Sequence, residues 1–314
     1  MTVGERPLAG LEFALVGPGR VGSSLALWAT ARGARCLSVA GRPGSRAAAE
    51  LARRLGADVA DAGEPAAAEA RLVLIAVPDG RVGDVARRLA GRRRPGIALH
   101  TSGALGASAL APLAAIGFRV GSFHPLRAFP AVQPDVEEAA GTFYALDGDA
   151  EARALGRRLA EAFGGEAGAV AEEQRPLYHW AATLAAGGVT TLLATARAVG
   201  HRIGLPEAAL RGYGKLAESA LGAALAATEP AAAITGPAAR GDLETIERHL
   251  AVVRSQMPEL LPLAVELARA ALARRGELGP LDPAQSALAE RLARTDLLDH
   301  VRDRVLTSES PETT

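Results

Sequence analysis

Short apolar runs alternate with helical stretches through the first half of the chain. Residues 13–16 form an apolar run that stops at Gly17, and Val21, Leu25 and Trp28 then recur at helical spacing before Gly33. The pattern predicts a strand, a turn and a helix. Residues 37–40 read as a second strand and residues 45–55 as a helix. Residues 72–77 are continuously apolar, as expected of a strand buried on both faces, and Val82, Val85 and Leu89 mark the next helix. Residues 97–99 and 119–122 read as strands, with a helix over 105–113 between them and an outer strand over 143–146. Such alternation predicts an α/β domain built on a doubly wound parallel sheet with right-handed crossovers. A helix over 150–163 and a short strand over 167–171 follow. From Glu172 onward nearly everything reads as helix, broken at Gly204–Pro206, Thr235–Pro237, Gly241 and Gly279–Pro280. The expected organisation is an α/β domain over 1–170 and an all-α domain for substrate and dimerisation over 171–314.

Composition narrows the function classes. Hydrophobic residues make up 49% and charged residues 22%, a globular balance. Lys+Arg and Asp+Glu are equal at 35 each, so nothing points to a nucleic-acid or anionic-membrane partner. The arginine run at 92–94 reads as a solvated loop, and the polar residues 308–314 as a frayed tail. The one cysteine, Cys36, lies in an apolar run and reads as core, and no intramolecular disulfide can form. No signal peptide is visible at the N-terminus, which carries Glu5 and Arg6, so a cytoplasmic location is expected. No metal site is expected. Residues 176–196 hold no Asp, Glu, Lys or Arg, a length that could span a bilayer. They are built of Ala, Gly and Thr, with Tyr178, His179 and Trp180 at the start. The segment is read as a soluble helix buried all round within the helical domain, and a homodimer through that domain is expected.

Candidate chemistry begins at Gly17-Pro18-Gly19-Arg20-Val21-Gly22, a G-x-G-x-x-G that follows a strand and opens a helix. In a Rossmann domain the first glycine permits the turn, the second lets backbone approach a pyrophosphate, and the third lets the helix pack on the sheet. The helix N-terminus offers free N–H groups to phosphate. About twenty residues on, NAD enzymes usually place an acid for the ribose hydroxyl. Here residues 37–49 contain no Asp or Glu, and Arg42, Ser45 and Arg46 stand where a 2′-phosphate would lie. NADP is therefore the expected cofactor, the plain alternative for these arginines being solvent exposure. Val77-Pro78 sits at a strand end beside the cofactor, with Pro78 under the nicotinamide ribose. Asp79 reads as a helix N-cap more readily than as a chemical group.

Two further strand ends are polar: His100-Thr101-Ser102-Gly103 and Ser122-Phe123-His124-Pro125. A carbonyl or imine reductase needs a proton donor where hydride arrives, and histidine suits that task. Thr101 lies on the cofactor side, and the hydroxyls of Thr101 and Ser102 can orient substrate or ring. In the helical half, His179 faces either the cleft or the core. Arg240 is a candidate anchor for a substrate carboxylate. Asp242 is either a substrate contact or the N-cap of the helix after it.

Together these stretches resemble Rossmann-like proteins whose C-terminal half is the domain of unknown function 2520. The resemblance rests on residues 17–22, Val77-Pro78-Asp79, residues 100–103, residues 122–126, Tyr178-His179, and residues 235–242 with Thr245 and His249. More distantly the layout is similar to pyrroline-5-carboxylate reductase, ketopantoate reductase and prephenate dehydrogenase. The resemblance implies an NADP-linked oxidoreductase, usually dimeric, and implies no substrate; the residues at the strand ends lead to the expectation of hydride transfer to or from a carbonyl or imine of a small acid. From the prephenate dehydrogenases it implies a catalytic His124 helped by Ser102. His179, not part of that resemblance, is a second catalytic candidate from its place at the start of the uncharged helix. The chain departs from the family at Arg175, where a lysine is frequent, and at Ala186-Gly187, where Ser-Asn is frequent. Its only lysine is Lys215. These departures keep open a second reading, an NADP-binding sensor or regulator without catalysis.

Overall fold

The computed structural model of the chain describes residues 6–61, 70–91 and 95–294. Glu5, the arginine run at 92–94 and the tail at 308–314 lie outside these residues. The chain divides into two compact units, residues 1–191 and 192–314.

In the first unit, strands β1 (Glu12–Val16), β2 (Arg35–Gly41), β3 (Asp58–Asp61), β4 (Leu72–Ile75), β5 (Ile97–His100), β6 (Arg119–Pro125), β7 (Phe143–Gly148) and β8 (Glu166–Ala169) form one sheet. Their order is β3-β2-β1-β4-β5-β6-β7-β8. The strands from β3 to β6 are parallel. β7 runs antiparallel to β6, and β8 runs parallel to β7, so the sheet is mostly rather than wholly parallel. Strand order reverses between β1 and β4, the point where open α/β sheets leave a crevice for ligands.

Alternation along the strands feeds two cores. Phe13 and Leu15 of β1 join Leu25 and Trp28 of helix α1 (Arg20–Ala31), Leu51 of α2 (Arg46–Leu55) and Leu155 and Leu159 of α5 (Ala150–Ala162). Ala14 and Val16 face the other way and meet Val82, Val85 and Leu89 of α3 (Asp79–Ala90) and Leu113 of α4 (Ala111–Ala114). With both faces covered, β4 and β5 can be apolar at nearly every position. Cys36 is buried in the first of these cores, and burial pushes its thiol up to about 12.

The helix expected over 105–113 is split into a 3-10 turn at Ala107–Leu110 and the single turn of α4. Pro112 in the first turn of α4 has no N–H to extend a helix upstream.

One helical run, Glu172–Arg202, links the two halves of the sequence. It contains α6 (Arg175–Thr183), a π turn at Leu184–Gly188 and α7 (Val189–Arg202). The expectation that residues 176–196 are buried all round is not met among the described residues. Leu177 is 69% exposed, Trp180 58% and Leu184 49%. Among the described residues this is one helix long and apolar enough to cross a membrane.

The second unit adds α8 (Glu207–Ala226), α9 (Leu243–Gln256), α10 (Leu261–Gly276) and α11 (Pro283–Ala293). Ile246, Leu250, Val265, Leu272, Leu288 and Leu292 from α9, α10 and α11 form its core. Asp282 and Gln285 close a capping box at the start of α11, each accepting the other's backbone N–H.

Candidate functional site

The turn after β1 carries the glycine signature in working form. Gly17 has φ +99°, and a Cβ there would collide with the carbonyl of Ala76, so only glycine fits. Its N–H donates to Ala40, while the N–H of Ala76 donates to Val16, tying the turn to both neighbouring strands. A Cβ on Gly22 would strike the carbonyl oxygen of Gly17 and lie 2.8 Å from Ala76 Cβ. The helix therefore rests directly on the strand ends. At Gly19 a Cβ would meet nothing within 4 Å, so the backbone there faces open space. α1 begins with no side-chain cap and no acid in its first turn. Its leading N–H groups and dipole are left for an anion, and the arrangement fits a dinucleotide pyrophosphate. Pro18 and Arg20 flank this open face, Arg20 being exposed, and Val21 packs against the sheet core.

At the end of β2, Arg42 and Arg46 are exposed. Among the described residues neither forms an ion pair. Ser45 is the N-cap of α2, its Oγ accepting from the N–H of Ala48 at 3.2 Å. Its hydroxyl hydrogen is still available to a phosphate oxygen.

After β4, Pro78 rather than Asp79 takes the N-cap position of α3, and Asp79 is its first residue, with no side-chain capping bond. The expected N-cap role of Asp79 is thus replaced by a favourable charge in the first turn. Val77 is half-buried beside Gly17. Thr101 continues β5, donating its N–H to Ile75 at 3.1 Å.

The two polar strand ends turn out differently. His100 is fully buried. Its Nδ1 accepts from the N–H of Ser102 at 3.2 Å, and its Nε2 lies 2.9 Å from the carbonyl of Gly106. Both nitrogens are thus spent on holding the loop, and burial keeps the ring neutral by pushing its pKa down. The hydroxyl of Ser102 accepts from the N–H groups of Ala104 and Leu105, closing a tight turn. This side chain shapes the loop, which differs from the expected role as a partner of His124.

His124, one strand further on, is half-buried. Its Nδ1 and the hydroxyl of Tyr178 lie 2.9 Å apart, and the ring of His179 stands edge-on at 6.0 Å between centroids. Gly103 wedges between the histidines, since a Cβ there would lie 2.5 Å from His179 Cδ2 and 2.7 Å from His124 Nε2. Loss of hydration lowers the pKa of His124 to about 4, and the charges of His179 and Arg175 push the same way. Burial holds the Tyr178 hydroxyl above its ordinary value. The cluster is therefore a neutral imidazole joined to a protonated phenol.

The sequence reading missed Arg175 as part of this site. Its side chain is wholly buried, and it donates to the carbonyl oxygens of Ser102 at 3.3 Å and Ala145 at 3.5 Å. Its Nε is 3.9 Å from Asp147 Oδ2 and has no hydrogen-bond partner. The same Asp147 oxygen accepts from the N–H of Ala107. Glu172 bonds the hydroxyl of Ser108, tying the start of the long helix to the same loop. The signals in the sequence were its place where related proteins frequently carry a lysine and its charge just ahead of an uncharged stretch; neither showed that it would be buried against the Ser102 turn.

In the second unit, Asp242 is the N-cap of α9, accepting from the N–H of Thr245 at 3.1 Å, and that bond lowers its pKa. Arg240 is exposed, with no ion pair among the described residues. His249 lines an apolar groove of about 380 Å³ together with Thr235 and Val253.

Fold and glycine turn define a class: proteins that join a Rossmann-like α/β domain to a helical region. Residues 3–125 match the model of a Rossmann-like domain, and residues 142–271 match that of the domain of unknown function 2520. No curated protein matches the sequence. Among solved structures it is similar to a Bacteroides fragilis protein proposed to be an NADP oxidoreductase. The two are 20% identical over 84% of this chain and 98% of that one, with a TM-score of 0.70. A Plasmodium falciparum pyrroline carboxylate reductase with NADP bound is 13% identical over 87% of this chain and 100% of its own, with a TM-score of 0.56. An imine reductase variant from Myxococcus stipitatus in complex with NAD+ is 19% identical over 90% and 99%, with a TM-score of 0.55. At these identities the likeness shows the fold.

Proposed function

We propose that the chain is an NADP(H)-dependent oxidoreductase that moves hydride to or from the carbonyl or imine carbon of a small acid. One observation carries this reading. An uncapped glycine turn at the strand-order switch point shares its sheet with a His124–Tyr178–His179 cluster at the end of β6. The turn at residues 17–22 and the first turn of α1 would hold the pyrophosphate. Arg42 and Arg46 would grip the 2′-phosphate, with Val77 and Pro78 beneath the ribose. NADPH would supply hydride. Tyr178 fixes the ring of His124, so that the neutral imidazole offers a hydrogen bond to, or takes a proton from, the substrate heteroatom. This narrows the expected role of His124. A ring held near 4 carries almost no second proton to give at neutral pH, and the phenol of Tyr178, held above its ordinary value, is the proton-bearing partner.

The cofactor half is tested by calorimetric titration with NADPH and NADH on wild type and Arg42→Ala. A charge-assisted bond of about 1.5–3 kcal/mol predicts roughly a 10- to 100-fold preference for NADPH. The variant should lose most of it while NADH binding stays level. Equal affinity of wild type for both cofactors defeats the NADP assignment. The chemistry is tested by NADPH oxidation across keto acids and cyclic imines.

A homodimer through the helical region is part of the same proposal. The exposed Leu177, Trp180 and Leu184 on the long helix and Leu216, Leu221 and Leu225 on α8 support it, because such side chains gain by leaving water. A second copy suits them better than lipid. The same run ends in His201 and Arg202, and α8 carries Lys215 paired with Glu218.

A further inference from the structure

We propose that Arg175 is the positioning residue of the candidate site, fixing the Ser102–Gly103 turn against His124 and His179 and keeping a permanent positive charge beside them. The inference deepens the oxidoreductase reading and rests on it only for the identity of the reaction served.

Geometry carries the first half. Arg175 donates to the carbonyl of Ser102, one residue before Gly103. Gly103 is in contact with both imidazoles, with no room for even a methyl group. The second donation, to Ala145, lands on β7 at the residue that pairs with His124 across the β6–β7 ladder. One planar guanidinium thus spans the turn and the strand beside the histidine. Lysine, with a single ammonium on a flexible stem, cannot match that planar fork. Arg175 opens α6, and Tyr178 and His179 follow one turn later on the same helix. A shift of the guanidinium would move both sides of the cluster.

The charge is the second half. A buried cation is costly, and an apolar replacement of similar volume is often no less stable. Here the cost is only partly offset. Asp147 stands 3.9 Å away, and Nε is left without a bond. A group that served packing alone would gain by losing its charge. The charged and titratable groups around His124 are Arg175, Tyr178 and His179 from α6, Asp79 from α3 and His100 from β5. Arg175, His179 and His100 disfavour a second proton on the ring, and Asp79 favours it. Among these groups Arg175 is a guanidinium, and although burial pushes its pKa down it holds its charge through the accessible pH range.

The test needs no substrate. His124 is titrated by NMR in wild type, Arg175→Met and Arg175→Lys, and amide exchange is followed at Ala104 and Leu105, whose N–H groups close the turn. Arg175→Met should raise the His124 midpoint by about half a pH unit or more and speed exchange at both amides. Arg175→Lys, which keeps the charge without the fork, should leave the midpoint near wild type and still speed exchange. If the Met variant does not fold, Arg175→Gln keeps donors without charge and carries the same titration. A folded neutral variant with an unmoved His124 midpoint overturns the electrostatic role. Unchanged exchange in the lysine variant overturns the positioning role. If wild type binds no NADP yet both effects appear, the oxidoreductase reading fails and this one stands.

Discussion

At the scale of single residues, the sheet assigns its two histidine-bearing strand ends to different tasks. His100 spends both nitrogens on its own loop, whereas His124 keeps one for Tyr178 and turns the other toward Gly103. Both rings are held neutral by burial, and that has a measurable cost in acid. A free imidazole takes a proton near 6.5, but folded His124 refuses it until about 4. Between those values the unfolded chain binds a proton that the folded chain does not, so falling pH favours unfolding. The folded state keeps its full advantage above 6.5, loses it progressively towards 4, and loses no more on this account below that. His100 adds a loss of the same sign. Urea denaturation of wild type and His124→Asn at pH 7, 6, 5 and 4.5 should show a shallower fall for the variant. Parallel curves would mean that His124 does not carry the penalty. Neither the Nδ1–Tyr178 bond nor the Arg175–Asp147 pair was legible in the sequence, because their partners are 54 and 28 residues apart. Only the residue types hinted at them.

At the scale of elements, the strand–turn–helix at the start of the chain was the most legible part. Its signal is local, with an apolar run, three glycines at fixed offsets and then helical spacing. β3 was missed because Asp58-Val59-Ala60-Asp61 is short and polar at both ends. The antiparallel direction of β7 could not be read, since alternation shows which residues face a core but not which way a strand runs. Gly22 makes the local logic testable. Any side chain there pushes α1 away from Gly17 and Ala76. Gly22→Ala should therefore cost about 1–3 kcal/mol of stability from overpacking. It should also weaken cofactor binding, because the helix N-terminus moves with the helix. Denaturant midpoints and a cofactor titration measure the two effects. A variant as stable and as tight-binding as wild type would show that α1 does not need this contact.

At the scale of the whole molecule, the uncharged helix was read correctly for composition and wrongly for its surroundings in one chain. Residues 176–196 lack a charged face, and a burial pattern read from sequence cannot say whose atoms provide the cover. If a second copy provides it, light scattering at micromolar concentration will give about twice the 32.1 kDa of one chain. Leu184→Glu, placing a charge at the centre of the exposed stretch, should shift the mass toward a single chain. A wild-type mass near 32.1 kDa would remove the dimer.

Cys36 bears on how any sensitivity to oxidants should be interpreted. It is the chain's one thiol, it lies in the sheet core, and its pKa near 12 leaves almost no thiolate at neutral pH. Disulfide reagents therefore meet a buried, protonated thiol, and Cys36 is not placed to join two folded copies through a cystine bridge. If activity or assembly of this protein varies with the oxidant-to-reductant ratio of its surroundings, the response must enter by a route other than this thiol.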